Sequence, residues 1–207
     1  MADTRKKVVV ILAVLLTSAA TISLILAISR YVGFLSNPEG WQQGLVFRVD
    51  PPEVTTGGVK VRVVSRGEAT EGISSLLVST FWVFELSVAN AAEGPVDVDF
   101  DRVMLRVGAR EMRALSTEEA LRLFNERMTG AYASATARRE HKQVLDQFQK
   151  RKLGVARVFP GYTRESLVFF QPHPDPPASA ELKVLGIREA GGDPAAPVVF
   201  HLSRPRG

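Results

Sequence analysis

The sequence predicts a mainly β protein, in which one N-terminal transmembrane helix precedes an antiparallel β-sandwich that a helical segment interrupts. Three observations support this fold class. Residues 8–28 form a long uncharged apolar run, the chain from residue 45 onward alternates apolar and polar residues, and the apolar period becomes helical at residue 116. Alternation with a period of two is typical of half-buried strands, whereas apolar spacings of three and four residues are typical of helices.

The apolar run holds 21 residues without a charge, a proline or a glycine. A helix rises 1.5 Å per residue, so about 20 apolar residues cross a hydrocarbon core of roughly 30 Å. Arg5, Lys6 and Lys7 precede the run and only Arg30 follows it closely. The positive-inside rule then puts the N-terminus in the cytoplasm and the rest of the chain beyond the membrane. A cleaved signal peptide is the competing interpretation, with Ser18 and Ala20 at the cleavage site.

These features predict four segments and a location. We expect a basic cytoplasmic flank at residues 1–7, the transmembrane helix at 8–28, a linker at 29–44 and an extracytoplasmic domain at 45–207. A signal anchor of this kind places a bacterial protein in the inner membrane as a single-pass protein whose C-terminal domain is periplasmic.

Short alternating segments predict the strands of the domain. The strongest spans residues 81–88, where Trp82, Phe84, Leu86 and Val88 share one face. Other predicted strands lie at residues 45–49, 59–63, 96–100, 103–107, 110–115, 155–158, 164–170, 181–187 and 198–202. Many short strands separated by glycine and proline turns favour an antiparallel sandwich of the Greek-key type.

The helical insertion is predicted at about residues 116–153. Ser116 and Glu119 have the spacing of a capping box, in which each side chain bonds the backbone N–H of the other residue. A second helical run at about residues 133–152 carries Val144, Leu145 and Phe148 on one side. The domain should therefore return to strands only at residue 155.

This layout resembles small membrane-anchored bacterial envelope domains of immunoglobulin-like fold. The residues that carry the resemblance are the strand from Trp82 to Asn90 with its following turn, and the turn Phe159-Pro160-Gly161 ahead of residues 167–170. The resemblance implies an immunoglobulin-like sandwich with a role in binding or assembly, and it transfers no functional residue to this chain.

Two sets of residues are candidates for interaction. Small residues at helical spacing in the apolar run would let a second transmembrane helix approach closely, although such residues are common in any spanning helix. They are Ala13, Thr17, Ala20 and Ala27. A basic patch in the insertion could bind an acidic partner or anionic lipid, or could be an ordinary solvated face. It comprises Arg138, Arg139, Lys142, Lys150, Arg151 and Lys152.

Composition and motifs argue against several other functions. The chain has no cysteine, which excludes disulfides and thiolate metal sites, and its net charge of +4 does not indicate a nucleic-acid-binding surface. Asp97, Asp99 and Asp101 lack the glycine and glutamate of a calcium loop, so strand alternation accounts for their spacing. The histidines lie on three separate elements, and we predict no catalytic, cofactor-binding or metal-binding residue. The histidines are His141, His173 and His201.

The sequence thus predicts a non-catalytic accessory or structural subunit of a larger membrane protein complex. Its expected partners are other integral membrane proteins and membrane lipid, and it needs no cofactor. The alternative is a free-standing periplasmic module that binds a ligand, a lipid or an envelope polymer through loops at the end of the sandwich. The first hypothesis expects a flat docking surface, and the second expects a deep apolar pocket between sandwich and insertion.

Overall fold

The computed structural model describes residues 46–68, 73–128, 135–152, 154–172, 177–189, 192 and 194–204, all of them within the unit Gln42–Gly207. The predicted cytoplasmic flank, transmembrane helix and linker lie outside these residues, as does the predicted helix-packing face. Within the described ranges, no helix is long and apolar enough to cross a bilayer.

The described chain is mainly β. Its twelve strands are β1 (Arg48–Asp50), β2 (Glu53–Thr56), β3 (Val59–Arg66), β4 (Trp82–Asn90), β5 (Val96–Asp99), β6 (Val103–Val107), β7 (Arg110–Arg113), β8 (Val155–Val158), β9 (Thr163–Phe170), β10 (Ser179–Val184), β11 (Ile187–Glu189) and β12 (Val198–Ser203). Its three helices are α1 (Ser75–Thr80), α2 (Thr117–Met128) and α3 (Ala135–Arg151).

The strands form three antiparallel sheets. The four-stranded sheet has the order β2-β3-β4-β9, the five-stranded sheet β1-β12-β10-β6-β7 and the three-stranded sheet β11-β5-β8. Every pairing is antiparallel. The prediction of a mainly β domain with antiparallel sheets is therefore confirmed.

The three sheets share one hydrophobic core. Trp82, Phe84, Leu86 and Val88 on one face of β4 are all buried, as the alternation predicted. They belong to the same cluster as inward side chains of the other two sheets, which include Leu105, Val98, Leu182, Phe200 and Leu202. Burying a side chain of this size fully is worth roughly 1.5–3 kcal/mol, so this core is the main source of stability.

The other face of the four-stranded sheet is also covered. Val83 on β4 and Leu167 and Phe169 on β9 point away from the shared core, yet they are 0–1 % exposed. The helices cover them, because α1, α2 and α3 contribute Leu77, Ala120, Phe124, Val144 and Phe148 to the buried set. The predicted insertion is thus a helical layer on the outer face of this sheet.

The capping box that starts α2 is confirmed. The backbone N–H of Ser116 donates to Glu119 Oε2 over 3.0 Å, and the backbone N–H of Glu119 donates to Ser116 Oγ over 3.2 Å. Two otherwise unpaired donors at the helix start are satisfied in this way.

Three short elements were not predicted. Helix α1 has only six residues and begins at a Ser74 cap, so it offers less than two turns of periodicity. Strand β2 reads Glu-Val-Thr-Thr at a sheet edge and has a single apolar residue. Strand β11 has only three residues and starts after a break at Gly186. The predicted strand at residues 181–187 is therefore divided between β10 and β11, which belong to different sheets.

Candidate functional site

Helix α3 carries most of the predicted basic patch, and its two faces differ sharply. Val144 and Phe148 are buried, whereas Arg139, Lys142 and Lys150 are exposed. Asp146 lies among these three cations on the exposed face. The exposed face therefore keeps a modest positive charge that can meet an acidic surface.

Beneath α3, aromatic rings fill the space between the helices and the sheet. The ring centroids of Phe148 and Phe169 are 4.8 Å apart, and those of Phe81 and Phe169 are 5.6 Å apart. Phe81 meets Phe148 edge-on at 6.4 Å, and Phe124 lies 6.5 Å from Phe148. Such pairs are worth about 0.5–1.5 kcal/mol each beyond their buried area, so these rings fix α3 firmly on the sheet.

The C-terminal end of α3 is held by charge. Arg151 lies 3.3 Å from Glu85 Oε1, while Arg66 donates two hydrogen bonds to Glu85 Oε2 over 2.9 and 3.1 Å. The next residue, Lys152, has a fully buried side chain that bonds the carboxylate of Asp101. Two consecutive cations thus tie the end of the insertion to strand β4 and to the turn after β5.

The six residues of the predicted basic patch consequently do not lie on one surface. Arg139, Lys142 and Lys150 are exposed, Arg151 and Lys152 are directed into the domain, and the side chain of Arg138 lies outside the described residues. Sequence reasoning missed this division because the two acidic partners, Glu85 and Asp101, are distant in the chain. Among the side chains of α3 that the structure describes, three cations of the predicted patch remain exposed.

The two acidic residues of β5 have different partners. Arg157 on the neighbouring strand β8 donates to Asp97 Oδ1 over 2.8 Å and to Asp97 Oδ2 over 3.1 Å. This hydrogen bonding lowers the pKa of Asp97 below its usual value against the opposing effect of burial, and the charges of Arg157 and Arg188 add to the lowering. Asp99 Oδ1 accepts the backbone N–H of Asp101 over 3.0 Å.

The two described histidines lie on different elements and contact different residues. His141 stacks on Phe124 with ring centroids 5.6 Å apart, and His201 Nδ1 lies 3.8 Å from Glu181 Oε1 on the exposed face of the five-stranded sheet. His173 lies outside the described residues. Across the described ranges, no group of three or more metal-binding side chains comes together.

One end of the domain is organised by a buried amide, which sequence reasoning did not single out. Asn90 is 2 % exposed, and its Nδ2 donates to the carbonyl oxygens of Gly94 and Val158 over 2.9 Å each. Its Oδ1 accepts the backbone N–H of Ala92 over 2.9 Å. The amide therefore ties the turn after β4 to the end of β8.

The turn between β8 and β9 is fixed at the same end and presents aromatic side chains to solvent. The backbone of Asn90 bonds both Gly161 and Tyr162, over 2.7 and 3.0 Å, and Tyr162 N–H donates to the carbonyl of Phe159 over 3.0 Å. Gly161 has a φ of +79°, the left-handed conformation that a type II turn requires after proline. Phe159 and Tyr162 are nevertheless 55 % and 66 % exposed. The Phe-Pro-Gly-Tyr sequence was the only signal for this surface.

Three surface clefts are lined by described residues. The clefts that adjoin β7 and the outer face of the five-stranded sheet hold about 320 and 360 Å³, and both are lined mainly by polar and charged residues. A smaller one of about 90 Å³ lies beside Asp97, Arg102 and Arg188.

Comparison with known proteins adds no assignment. No family model matches the chain, and no curated protein matches it either. Among solved structures, the yjhA protein from Bacillus subtilis has a TM-score of 0.39 and 12 % identity over 66 % of this chain and 78 % of that chain. The ApaA protein from Bordetella pertussis has a TM-score of 0.35 and 16 % identity over 79 % of this chain and 98 % of that chain. Similarities at this level do not identify a function.

Proposed function

We propose that this chain is a non-catalytic, single-pass accessory subunit of a larger membrane protein complex in a bacterial envelope. The observation that carries the proposal is the uninterrupted apolar run at residues 8–28 with its basic N-terminal flank. A run of that length needs a helix in lipid, because only a helix or a closed barrel satisfies the backbone there. The β domain then lies on the extracytoplasmic side as an immunoglobulin-like sandwich with a helical layer.

The packing of the helical layer supports the subunit interpretation over the alternative of a ligand-binding module. That alternative expects an apolar pocket between sandwich and insertion. Phe81, Phe148 and Phe169 occupy that position with centroid distances between 4.8 and 6.4 Å. A filled interface supports a rigid body whose outer surface does the binding.

Two surfaces would contact the partners. The small-residue face of the anchor would pack against a partner helix, since small side chains let two helices approach closely. The exposed cations of α3 would meet an acidic surface or anionic headgroups, each cation being worth about 1 kcal/mol near an anionic membrane. The residues are Ala13, Thr17, Ala20 and Ala27 on the anchor and Arg139, Lys142 and Lys150 on α3.

The experiment that tests this function is extraction of native membranes in mild detergent, native separation and mass spectrometry of the band that contains the protein. We expect a defined set of integral membrane proteins to migrate with it. Ala20→Phe should release them, whereas Leu15→Phe, on the opposite side of the predicted helix, should not. Migration of the wild-type protein alone would overturn the subunit role.

A further inference from the structure

We propose that the outer face of the three-stranded sheet docks an acidic surface of a partner protein, with a carboxylate of that protein held between Arg102 and Arg188. This surface is additional to the anchor face and to α3, and the inference rests on the proposed subunit role. Three features of the face support a protein partner: the arrangement of its charges, a small cleft between two arginines, and the apolar side chains beside that cleft.

Charged side chains line up across the three strands on this face. Arg188 of β11, Asp97 of β5 and Arg157 of β8 are direct cross-strand neighbours. Directly opposed side chains of an antiparallel pair lie on the same face of the sheet. Arg157 donates two hydrogen bonds to Asp97 and so neutralises it. Among the described residues, Arg188 interacts with Asp97 through its charge and has no hydrogen-bonded carboxylate of its own.

A small cleft lies beside this row of charges. It holds about 90 Å³, and its lining includes Arg102, Arg188, Asp99 and Val155. Within the described ranges, the guanidinium of Arg102 has no carboxylate partner either. Pockets for whole small molecules hold about 300–1,000 Å³, so a cleft of this size suits the end of one side chain. Its two guanidinium groups favour a carboxylate, which arginine binds in a bidentate geometry.

The side chains next to the cleft are typical of protein interfaces. In the described ranges four large hydrophobic side chains are exposed, and three of them lie on β8 or in the turn that follows it. They are Val155, Phe159 and Tyr162, which are 67 %, 55 % and 66 % exposed. Arginine and aromatic residues are enriched in protein interfaces, whereas lysine is depleted. The described side chains of this face therefore combine apolar contact area with cations that can bind a carboxylate.

Charge complementarity favours an acidic protein as the occupant. Arg102, Arg157 and Arg188 against Asp97 and Asp99 leave the face with a net charge of +1. Anionic membranes attract clusters of about four to eight cations, which is more than this face presents. A second copy of the chain would bring the same positive face, whereas a partner with carboxylates supplies the opposite charge. The occupant is therefore a protein surface on which an exposed aspartate or glutamate lies beside an apolar patch.

Site-specific photo-crosslinking of the full chain in native membranes tests this surface. The photoreactive amino acid p-benzoylphenylalanine replaces Val155 in the cleft, and Ala109, in the exposed turn between β6 and β7, is the control position. We expect irradiation to join position 155 to one protein of the co-migrating set, beside an exposed Asp or Glu, and position 109 to give no such adduct. An adduct with lipid or with a second copy of this chain, or equal adducts from both positions, would overturn the proposal.

Charge reversal then tests the role of the cleft. Arg102→Glu/Arg188→Glu should lower the yield of that adduct about tenfold or more, because carboxylates would face carboxylates. Arg62→Glu/Arg110→Glu reverses two exposed arginines on other strands and should leave the yield unchanged. Replacing the partner's crosslinked Asp or Glu by Lys should restore the adduct of the reversed variant. Equal yields from the two double variants would contradict the binding of a carboxylate in this cleft.

The docking surface and the subunit role fail in different ways. If partner proteins migrate with the wild-type chain but position 155 gives no adduct with any of them, the docking surface is wrong and the subunit role stands. If no protein migrates with the wild-type chain, the subunit role is overturned, and the docking surface with it.

Discussion

The side-chain amide of Asn90 donates a hydrogen bond to the backbone carbonyl of Val158, 68 residues further along the chain, over 2.9 Å. This bond joins the end of β4 in the four-stranded sheet to the end of β8 in the three-stranded sheet. The turn that presents Phe159 and Tyr162 depends on it. The chain enters the domain at the opposite end of the four-stranded sheet, where Phe47 N–H donates to Ser65 Oγ over 3.0 Å.

Asn90→Ala should destabilise the domain by about 1–3 kcal/mol, because the three hydrogen bonds of the buried Asn90 side chain, including the buried one to the carbonyl of Val158, would be lost. Urea unfolding followed by circular dichroism measures this loss. Gln149→Ala, at an exposed position on α3, is the control and should change the free energy of unfolding by less than about 0.5 kcal/mol. If Asn90→Ala leaves the free energy of unfolding unchanged, the two turns keep their positions without the side-chain amide.

Phe148→Ala should cost about 3–5 kcal/mol of unfolding free energy, since Phe148 is 0 % exposed and contacts three other rings. The side chains of the sheet cannot move far enough to fill the cavity left among Phe81, Phe124 and Phe169. Near-ultraviolet circular dichroism should lose aromatic signal in the same variant. A loss comparable to that of a surface substitution would mean that the helical layer contributes little to the fold.

Gly186→Ala should destabilise the domain, because an added Cβ would collide with the carbonyl oxygen of Asp99. The two backbones lie this close because the N–H of Asp99 donates to the carbonyl oxygen of Gly186 over 2.8 Å. The clash is with backbone atoms, which cannot rotate out of the way as a flexible side chain could. Gly94→Ala is the matched control, since nothing lies within 4 Å of its added Cβ. Thermal unfolding should separate the two variants, and equal melting temperatures would contradict the close approach of β5 to the break after β10.

Acid should weaken the start of α2 through Glu119. The backbone N–H of Ser116 and the guanidinium of Arg113 lower the pKa of Glu119 below its usual value of 4.5. A lowered pKa in the folded state means that the stabilisation is present above pH 4.5 and is lost as the pH falls through the folded-state pKa. Unfolding measured from pH 6 to pH 3 should therefore show a shallower decline in Glu119→Gln than in the wild-type protein. If the stability of both proteins falls equally with pH, Glu119 does not contribute to the acid response.

Elements with a clear period were predictable from the sequence, and those fixed by distant contacts were not. The β4 alternation at Trp82, Phe84 and Leu86 placed its buried face correctly, and the Ser116 capping box placed the start of α2 within one residue. Helix α1 was missed because Leu76, Leu77 and Val78 form a short apolar segment without a full helical repeat.

The candidate surfaces show the same division. The exposed position of Arg139, Lys142 and Lys150 follows from helical spacing, and the basic run was visible in the sequence. The side chain of Lys152 points into the domain because it bonds the carboxylate of Asp101, which is 51 residues away in the chain. Similarly, the exposure of Val155 and Phe159 depends on which face of the three-stranded sheet the rest of the chain covers, and local spacing does not show this.

We propose that residues 8–28 anchor the chain and place its β domain outside the cytoplasm, and site-directed cysteine labelling can test both points. Ala2→Cys and Lys142→Cys, in the otherwise cysteine-free full chain, are exposed in intact cells to a maleimide that does not cross the inner membrane. If residues 8–28 anchor the chain in this orientation, the cysteine at position 142 should react in intact cells and the one at position 2 only after the membrane is broken. Labelling at position 2 in intact cells with protection at position 142, or release of the protein from alkali-washed membranes, would contradict it.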